Sequence, residues 1–393
     1  MYWGPVQLPS RHEVEQLCSA TPIHKAPGMD KLDPTAVRYG GYVHGRAIVN
    51  LFMKMWIQAA EPGQWKGGAL IPIYKGKGPL DQPEGQRGIM LLSSLGKKWH
   101  ALLRKRLLRV SAPLRPPHQI GGYPGQQTGF ATLVLHSLDR QAKHHGLPNG
   151  VLFLDIKGAF HHMIRETYNH DTMPDVLKQA LVAEGLDLQQ IWDHATGQEL
   201  EKEPGLRQVL ADAHTNTWAS IQGDPSYTLR TTRGTRPGSP IADLAHNHMM
   251  GHVLREIAAE LATDPEVAYM ETQLGIHIGP LTWVDDIALP LIGTSNEALV
   301  EMLQKYLGKL HRALRARGMH VNYAKGKTEA LLNFRGKGAP RWRAMVFVEK
   351  EGKLHFDVTE QEQHGLPPTI HITTEYKHLG TKVAQNCNNV GEL

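Results

Sequence analysis

The sequence feature that most constrains the fold is a pair of adjacent aspartates held between two short apolar runs, at residues 281–289. The runs, Leu-Thr-Trp-Val and Ile-Ala-Leu, predict two strands joined by a tight turn at Asp285 and Asp286. Two carboxylates this close repel and raise each other's pKa unless a cation neutralises them. A solvated hairpin tip is the simpler interpretation, because Asp favours turns. The apolar flanks argue instead for a buried site.

A third carboxylate, Asp155, ends the continuous apolar run of residues 150–154, which predicts a buried central strand. The order strand, helix, hairpin, helix, strand over residues 150–332 fits a split βαβ sheet with helices on one face. In that topology the Asp155 strand can lie beside the Asp285–Asp286 hairpin. Two Mg²⁺ ions would relieve the repulsion among three carboxylates, since Mg²⁺ prefers carboxylate and phosphate oxygens. Such a pair of metals can activate an attacking 3′-hydroxyl and stabilise a leaving pyrophosphate.

Composition narrows the class of protein. The chain has 393 residues and a net charge of +5, which is compatible with a polyanionic partner. Its two cysteines, Cys18 and Cys387, exclude a disulfide framework and suit a reducing, intracellular compartment. We find no apolar run near the length of a membrane span and no signal-peptide layout at the N-terminus. His246, His248 and His252 lack the arrangement of a zinc motif, so a structural role is the simpler interpretation.

Periodicity and capping residues predict the principal helices. Ser10 and Glu13 predict a capped helix over Arg11–Ser19. Further helices are predicted at 47–59, 95–110, 130–144, 296–317 and in much of 174–222, whereas 335–372 is expected to form strands with loops. The 95–110 helix carries cations that face either solvent or nucleic-acid phosphates, namely Lys97, Lys98, Arg104, Lys105, Arg106 and Arg109.

Several motifs in one order resemble the reverse transcriptases of non-LTR (LINE-type) retrotransposons. Residues 153–160 resemble the first catalytic motif, and residues 283–286 the aromatic-x-Asp-Asp motif. The other matching segments are 25–30, 71–75 with 87–97, 119–128, 234–240, 318–328 and 376–380. The resemblance implies a right-hand polymerase of α+β class, with a ferredoxin-like split βαβ palm, an antiparallel sheet and helical and hairpin fingers.

The resemblance assigns the carboxylates their roles. Asp155 and Asp285 would be the main metal ligands, joined by the carbonyl of Ile156, and Asp286 would be peripheral, at the edge of the cleft. The implied cofactor is a pair of Mg²⁺ ions, with Mn²⁺ as a substitute.

Nucleotide-binding residues follow from the same motifs. Lys75 and Arg87 would hold the triphosphate, and Gly238 would lie in the loop under the incoming nucleotide. Phe160 stands where the family places a residue that excludes the ribose 2′-hydroxyl, although an ordinary core Phe is the alternative. Lys327 would lie near the pyrophosphate, with Lys325 as the alternative.

The template and primer would contact residues of three further motifs. On the template side these are Gln119, Gly125, Gln126 and Arg236, and at the primer end Tyr376, Leu379 and Gly380. The chain departs from the family at Pro237, where Gln is usual, and at 242–243, where Ser-Pro is usual.

The implied function is RNA-directed DNA synthesis from dNTPs on a DNA primer and an RNA template. The implied domains are fingers at 1–145 with part of 165–230, a palm at 146–334, and a strand-rich insertion with the end of the palm at 335–393. We expect the thumb to be largely absent, the chain to be a truncated or degraded copy, and its location to be the nucleus or cytoplasm. A catalytically inactive, host-retained nucleic-acid-binding relative and an RNA-directed RNA polymerase remain alternatives.

Overall fold

The structure is a computed structural model that combines helices and strands in two compact units. It describes residues 8–76, 79–82, 85–113, 115–165, 175–189, 204–348, 351–356, 366–379 and 381–384. The first unit comprises Met1–Pro113, Phe160–Ala183 and Ala195–His246. The second comprises Leu114–Ala159, Glu184–His194 and Asn247–Leu393. No helix in the described ranges is long and apolar enough to cross a bilayer.

The helices of the described residues are numbered in chain order. They are α1 (Arg11–Ser19), α2 (Pro34–Tyr39), α3 (Gly41–Gln58), α4 (Ser94–Ser111), α5 (Thr128–His144), α6 (Ala159–His162), α7 (Asp175–Ala183), α8 (Pro204–His214), α9 (Ala242–Ala262), α10 (Pro265–Leu274), α11 (Asn296–Arg315) and α12 (Ala339–Val346).

The strands are numbered in the same way. They are β1 (Gly67–Tyr74), β2 (Gln86–Leu92), β3 (Asn149–Leu154), β4 (Ile156–Lys157), β5 (Thr217–Ile221), β6 (Thr228–Thr231), β7 (Leu281–Trp283), β8 (Asp286–Ile292), β9 (His320–Val321), β10 (Glu329–Asn333), β11 (Phe347–Val348), β12 (Glu351–His355), β13 (Thr369–Thr373), β14 (Glu375–His378) and β15 (Thr381–Ala384).

The main sheet of the second unit has the strand order β11-β12-β13-β10-β3-β8-β7. Strand β3 lies between β10 and β8 and is antiparallel to both, as the split βαβ pattern predicts. The sheet is not wholly antiparallel, however, because β10 and β13 run in parallel. The neighbouring positions of β3 and β8 bring the ends of the two apolar runs identified in the sequence to one edge of the sheet.

After Asn149, strand β3 carries no polar side chain, because both of its faces are covered. Val151 and Phe153 pack in one core cluster with Ala131 and Leu135 of α5. Helix α11 also contacts β3, and all six residues of the strand are buried. A strand covered on both faces favours apolar side chains, and the carboxylate Asp155 comes directly after it.

The sheet of the first unit has the order β2-β1-β5-β6, and an arginine ties its last strands to nearby loops. The guanidinium of Arg165 donates to the carbonyl oxygens of His214 and Arg233 at 2.8 Å each and to that of Gly234 at 2.5 Å. It also donates to the Thr217 hydroxyl at 2.8 Å. These hydrogen bonds from a charged guanidinium hold the backbone of Arg233 and Gly234 in place, at the start of the loop that follows β6.

His214, at the end of α8, makes the first unit sensitive to acid. Burial, with the positive charges of Arg165 and Arg236, lowers the pKa of His214 from 6.5 to about 3. Below pH 6.5 the unfolded chain therefore takes up a proton that the folded chain does not. We expect the free energy of unfolding to fall by about 1.4 kcal/mol per pH unit as the pH decreases from about 6.5 towards 3.

Urea unfolding at a series of pH values tests this linkage. His214→Gln should reduce the slope of unfolding free energy against pH by about one proton, whereas His12→Gln, at an exposed histidine of α1, should leave it unchanged. Equal slopes for wild type and His214→Gln would show that His214 is protonated in the folded state.

Most helices lie where the sequence predicts them. Ser10 caps α1 by accepting from the Glu13 nitrogen, as expected, and Ser295 caps α11. Two predicted segments also contain an element of the other kind. Strand β5 lies within the segment predicted to be mostly helical, and α12 lies in the segment predicted to hold strands and loops. Helices α2 and α10, each with Pro at its first position after a capping Asp, were not anticipated.

Candidate active site

The Asp-Asp pair lies in a two-residue hairpin, as the sequence predicts. Trp283 at the end of β7 pairs with Asp286 at the start of β8, so Val284 and Asp285 form the turn. Val284 has a φ of 59°, in the left-handed region that β-branched residues rarely adopt. Two-residue hairpins favour glycine there. The strained turn presents Asp285 at the tip of the hairpin.

Replacing Val284 tests whether the turn stores this strain. A non-glycine residue held in the left-handed region costs on the order of 1–3 kcal/mol. Part of the stability gained by removing this strain is lost, because glycine makes the unfolded chain more flexible. We expect Val284→Gly to raise the free energy of unfolding by about 1 kcal/mol, measured by urea denaturation. Val43→Gly, at an exposed position of α3, should lower it, because glycine is unfavourable within a helix. A destabilised Val284→Gly would contradict the strain.

Asp155 is held by residues that follow β9. Lys327 Nζ donates to Asp155 Oδ1 at 3.0 Å, and Asn322 Nδ2 donates to Oδ2 at 2.9 Å. The backbone nitrogen of Asp155 donates to the Thr328 hydroxyl at 3.1 Å. Lys327, predicted to lie near the pyrophosphate, is therefore paired with a predicted metal ligand. Sequence reasoning missed Asn322, although its position four residues after Gly318 in a recognised motif was a usable signal.

Asp286 shares the electrostatic environment of the other two carboxylates. Strands β3 and β8 pair Leu154 with Ile287, so one step further along this register places Asp155 opposite Asp286. Burial, then the charges of Asp285 and Asp155, raise the pKa of Asp286 to about 6. Asp286 is half-buried, and its carboxylate interacts electrostatically with those of Asp285 and Asp155.

Carboxylates that suppress each other's ionisation are suited to a hard divalent cation, which takes oxygen ligands. In this arrangement the carboxylates do not fully suit a metal ion, because one oxygen of Asp155 accepts a hydrogen bond from the Lys327 ammonium. Within the described ranges, no three His, Cys, Asp or Glu side chains form a group that could hold a metal ion. A cation at Asp155 would therefore have to displace Lys327. Ile156, the predicted carbonyl ligand, lies in β4 opposite Val321, with a buried side chain.

The segment around Gln119 supports the hairpin from the outer edge of β7. Ile120 N donates to Thr282 O at 2.8 Å, and Gln119 Nε2 donates to Asn247 O at 2.6 Å. A side chain on Gly121 would meet the Val284 nitrogen at 2.5 Å, so glycine is required there. Gln119 is 1% exposed. The prediction that it contacts the template disagrees with this burial, and the structure gives it a supporting position beneath the turn.

Tyr376, predicted at the primer end, lies against β3. Its ring stacks on Phe153 with centroids 4.2 Å apart, and its hydroxyl donates to Lys327 O at 2.6 Å. Burial, with the charges of Asp155 and Asp286, raises the pKa of Tyr376 above its usual range. Leu379 packs against the same core, with a φ of 51°. Gly380 lies outside the described residues.

Lys75 and Arg87, the predicted triphosphate ligands, share one hairpin of the first unit. Ile73 pairs with Arg87 across β1 and β2, and Lys75 lies two residues beyond Ile73. Since alternate residues point to the same face of a strand, both cations lie on one face. Both residues are exposed, which is compatible with ligand binding.

Phe160 and Gly238 are also in the first unit. The Phe160 ring lies 5.1 Å from that of His246, and its carbonyl accepts from Thr235 N at 2.6 Å. Gly238 has a φ of 92° and is exposed. A side chain there would lie 3.0 Å from the Met90 carbonyl oxygen, so the loop approaches β2 closely.

Arg236, predicted to contact the template, is instead a buried structural residue with 2% exposure. Its guanidinium donates to the Trp65 and Ala213 carbonyl oxygens at 2.8 Å each and lies 3.3 Å from Glu61. Burial would raise the pKa of Glu61, but His100 and Arg236 lower it more, to about 2. Buried inside this network, Arg236 cannot reach a template in this conformation.

Gly125 and Gln126 lie in the loop before α5. Gly125 is exposed, with a φ of 77°, and Gln126 is half-buried. Neither position conflicts with the predicted template contact.

The sequence matches the reverse transcriptase (RNA-dependent DNA polymerase) family over residues 74–383. The chain therefore belongs to the reverse transcriptase family. Members of this family generally use divalent metal ions, which agrees with the carboxylates gathered at the ends of β3 and the hairpin.

Three relatives come from mobile elements. The chain is 30% identical over 161 residues to a probable RNA-directed DNA polymerase from transposon BS of Drosophila melanogaster, covering 40% of this chain and 17% of that protein. It is 30% identical over 164 residues to the RNA-directed DNA polymerase from mobile element jockey of the same species, with the same shares of each chain. A Pol polyprotein from type-1 retrotransposable element R2 of Popillia japonica is 24% identical over 325 residues, 82% of this chain and 40% of that protein. The chain thus spans under half the length of each relative, and the resemblance to non-LTR retrotransposon enzymes is confirmed.

Proposed function

We propose that the chain is an RNA-directed DNA polymerase of a non-LTR retroelement that transfers dNTPs to a primer 3′-hydroxyl. The observation that carries this proposal is the convergence of Asp155 and the Asp285–Asp286 hairpin at one edge of the main sheet. Family membership supports the reaction type. We place the activity inside the cell, in the nucleus or cytoplasm.

In this proposal Asp155, Asp285 and Asp286 would hold two Mg²⁺ ions, for which Mn²⁺ could substitute. The ions would supply charge stabilisation at the reacting phosphate. Asn322 orients Asp155 by donating to Oδ2. Lys327 moves from Asp155 to the triphosphate, where Lys75 and Arg87 also bind. Arg suits bidentate contact with phosphate, whereas Lys acts as a point charge.

The proposed architecture is a right hand in which residues 146–334 form the palm and residues 1–145, with part of 165–230, form the fingers. Residues 335–393 complete the primer side. Gly125 and Gln126 contact the template, Gly238 lies under the incoming nucleotide, and Tyr376 and Leu379 support the primer.

Primer extension on an RNA template tests the proposal. The full chain with Mg²⁺ and dNTPs should extend an annealed DNA primer, and chelation of the metal should stop it. Binding of the primer–template without any extension would favour the alternative of an inactive nucleic-acid-binding relative.

Phe160 tests sugar selection and the alternative of an RNA polymerase. A bulky ring beneath the sugar excludes a 2′-hydroxyl, so Phe160→Val should raise ribonucleotide incorporation relative to deoxynucleotide by roughly 10- to 200-fold, the usual range for a small steric change in an apolar pocket. The measurement is the ratio of kcat/KM for dNTP and rNTP. Phe130→Val, at an exposed position of α5, is the control. An unchanged ratio would make Phe160 an ordinary packing residue.

A further inference from the structure

A cavity of about 480 Å³ lies within the first unit, beside the N-terminal turn of α4. Its apolar wall includes Pro22, Ala26, Ile89 and Met90, and its cationic side consists of Lys25, Lys97 and Lys98. A cavity of this size accommodates a nucleotide-sized ligand. Gly238 also lines the cavity. The loop that precedes α9 and the motif segment at residues 25–30 therefore both border this cavity.

Lys98 is the residue that indicates which kind of ligand this cavity binds. It is 8% exposed, and within the described part of the chain its ammonium has no hydrogen bond or ion pair. The groups whose charges act on it are Cys18 and Lys97, and no carboxylate is among them. Burial lowers the pKa of the Lys98 ammonium and of the Lys97 ammonium. A buried cation is costly unless it is paired, so this lysine is placed for an anion.

The first turn of α4 adds to the positive potential. The backbone N–H groups at a helix N-terminus favour an anion, and cations there are unfavourable without one. Asp30 offsets part of this charge, because its Oδ2 accepts from Ser94 N at 3.2 Å. Three lysines against one carboxylate still leave two positive charges around the cavity.

The remaining arginines of α4 are engaged or point elsewhere. Arg104 donates to Asp243 and to the Pro240 carbonyl oxygen, the latter at 2.7 Å. Arg106 donates to Glu13 at 2.8 Å. These contacts remove Arg104 and Arg106 from the six cations of this helix that were expected to face either solvent or phosphates.

We propose that Lys25, Lys97 and Lys98 form a phosphate-binding site whose ligand is a phosphodiester of single-stranded RNA, with a base against the apolar wall. The choice of RNA over other phosphates rests on the proposed function, whereas the anion preference rests on the unpaired lysine. A free nucleotide carries the same phosphate chemistry and is the competing source.

Salt-dependent RNA binding tests the site. A short labelled single-stranded RNA is titrated with the full chain in EDTA without dNTPs, so binding is measured apart from catalysis. Each phosphate contact contributes about 0.7 to the slope of log affinity against log salt for a single strand. Because the site binds one phosphodiester, the double variant Lys97→Gln with Lys98→Met should lower the slope by about 0.7. Lys105→Gln with Arg109→Gln, at exposed positions of the same helix, should change it less.

Thermal unfolding gives an independent readout. Lys98→Met should raise the Tm, because an apolar side chain replaces that of a lysine only 8% exposed and without an ion pair among the described residues, while it weakens RNA binding. A destabilised Lys98→Met with an unchanged salt slope would overturn the site. Guanosine monophosphate that competes with RNA on an equal molar basis would assign the site to a free nucleotide and overturn the RNA ligand. A reduced slope in a chain without polymerase activity would support the site while the proposed function fails.

Discussion

Asp285→Asn is expected to reduce primer extension by about 1,000-fold or more. Losing a carboxylate that holds the metal removes several kcal/mol of charge stabilisation from the transition state, and each 1.36 kcal/mol is a factor of ten in rate. The measurement is single-turnover incorporation of one dNTP on an RNA template. Because the substitution also removes a like charge from the neighbourhood of Asp286, the folded state should be at least as stable as in the wild type.

Two further Asp→Asn variants show whether the loss of primer extension is specific to Asp285. Asp286→Asn should cost less, about tenfold, because the raised pKa of Asp286 shows that its neighbours already disfavour its charge. Asp175→Asn, at an exposed carboxylate of α7, should keep full activity. Full activity of Asp285→Asn would remove this residue from the reaction.

Arg236→Met is expected to lower the free energy of unfolding by about 3–5 kcal/mol, the usual cost of breaking a buried ion pair by removing one partner. The substitution leaves the Glu61 carboxylate, at 7% exposure, without its arginine. Urea unfolding measures the change, and Arg230→Met, at an exposed arginine of β6, should stay within about 0.5 kcal/mol of wild type.

The same variant separates the structural role of Arg236 from the template role expected from sequence. RNA affinity per folded molecule should not change in Arg236→Met at a temperature where the variant remains folded. Weakened RNA binding with unchanged stability would restore the template assignment.

The sequence predicted the main sheet of the second unit well because its signals are local. A short continuous apolar run favours a strand covered on both faces, and residues 150–154 lie in such a strand, β3. Two apolar runs around Asp285 and Asp286 can only meet through a tight turn, and they pair directly. The pairing of β3 with β8 then follows from the split βαβ order.

What the sequence did not predict depends on contacts between distant residues. The buried Arg236 forms an ion pair with Glu61, which is 175 residues away in the sequence, and no motif encodes that contact. Asn322 is 167 residues from Asp155. The strain at Val284 is also invisible in a pattern of apolar and polar residues, because the turn geometry is imposed by the flanking strands.

The most direct test concerns the cation site itself. Mn²⁺ binding to the full chain can be measured by electron paramagnetic resonance, with and without a non-hydrolysable dNTP. We expect Mn²⁺ to bind the wild type, more tightly with the nucleotide because the triphosphate draws Lys327 away from Asp155, and Asp155→Asn to lose this binding. Equal Mn²⁺ affinity in wild type and Asp155→Asn would contradict a metal site at the ends of β3 and the hairpin.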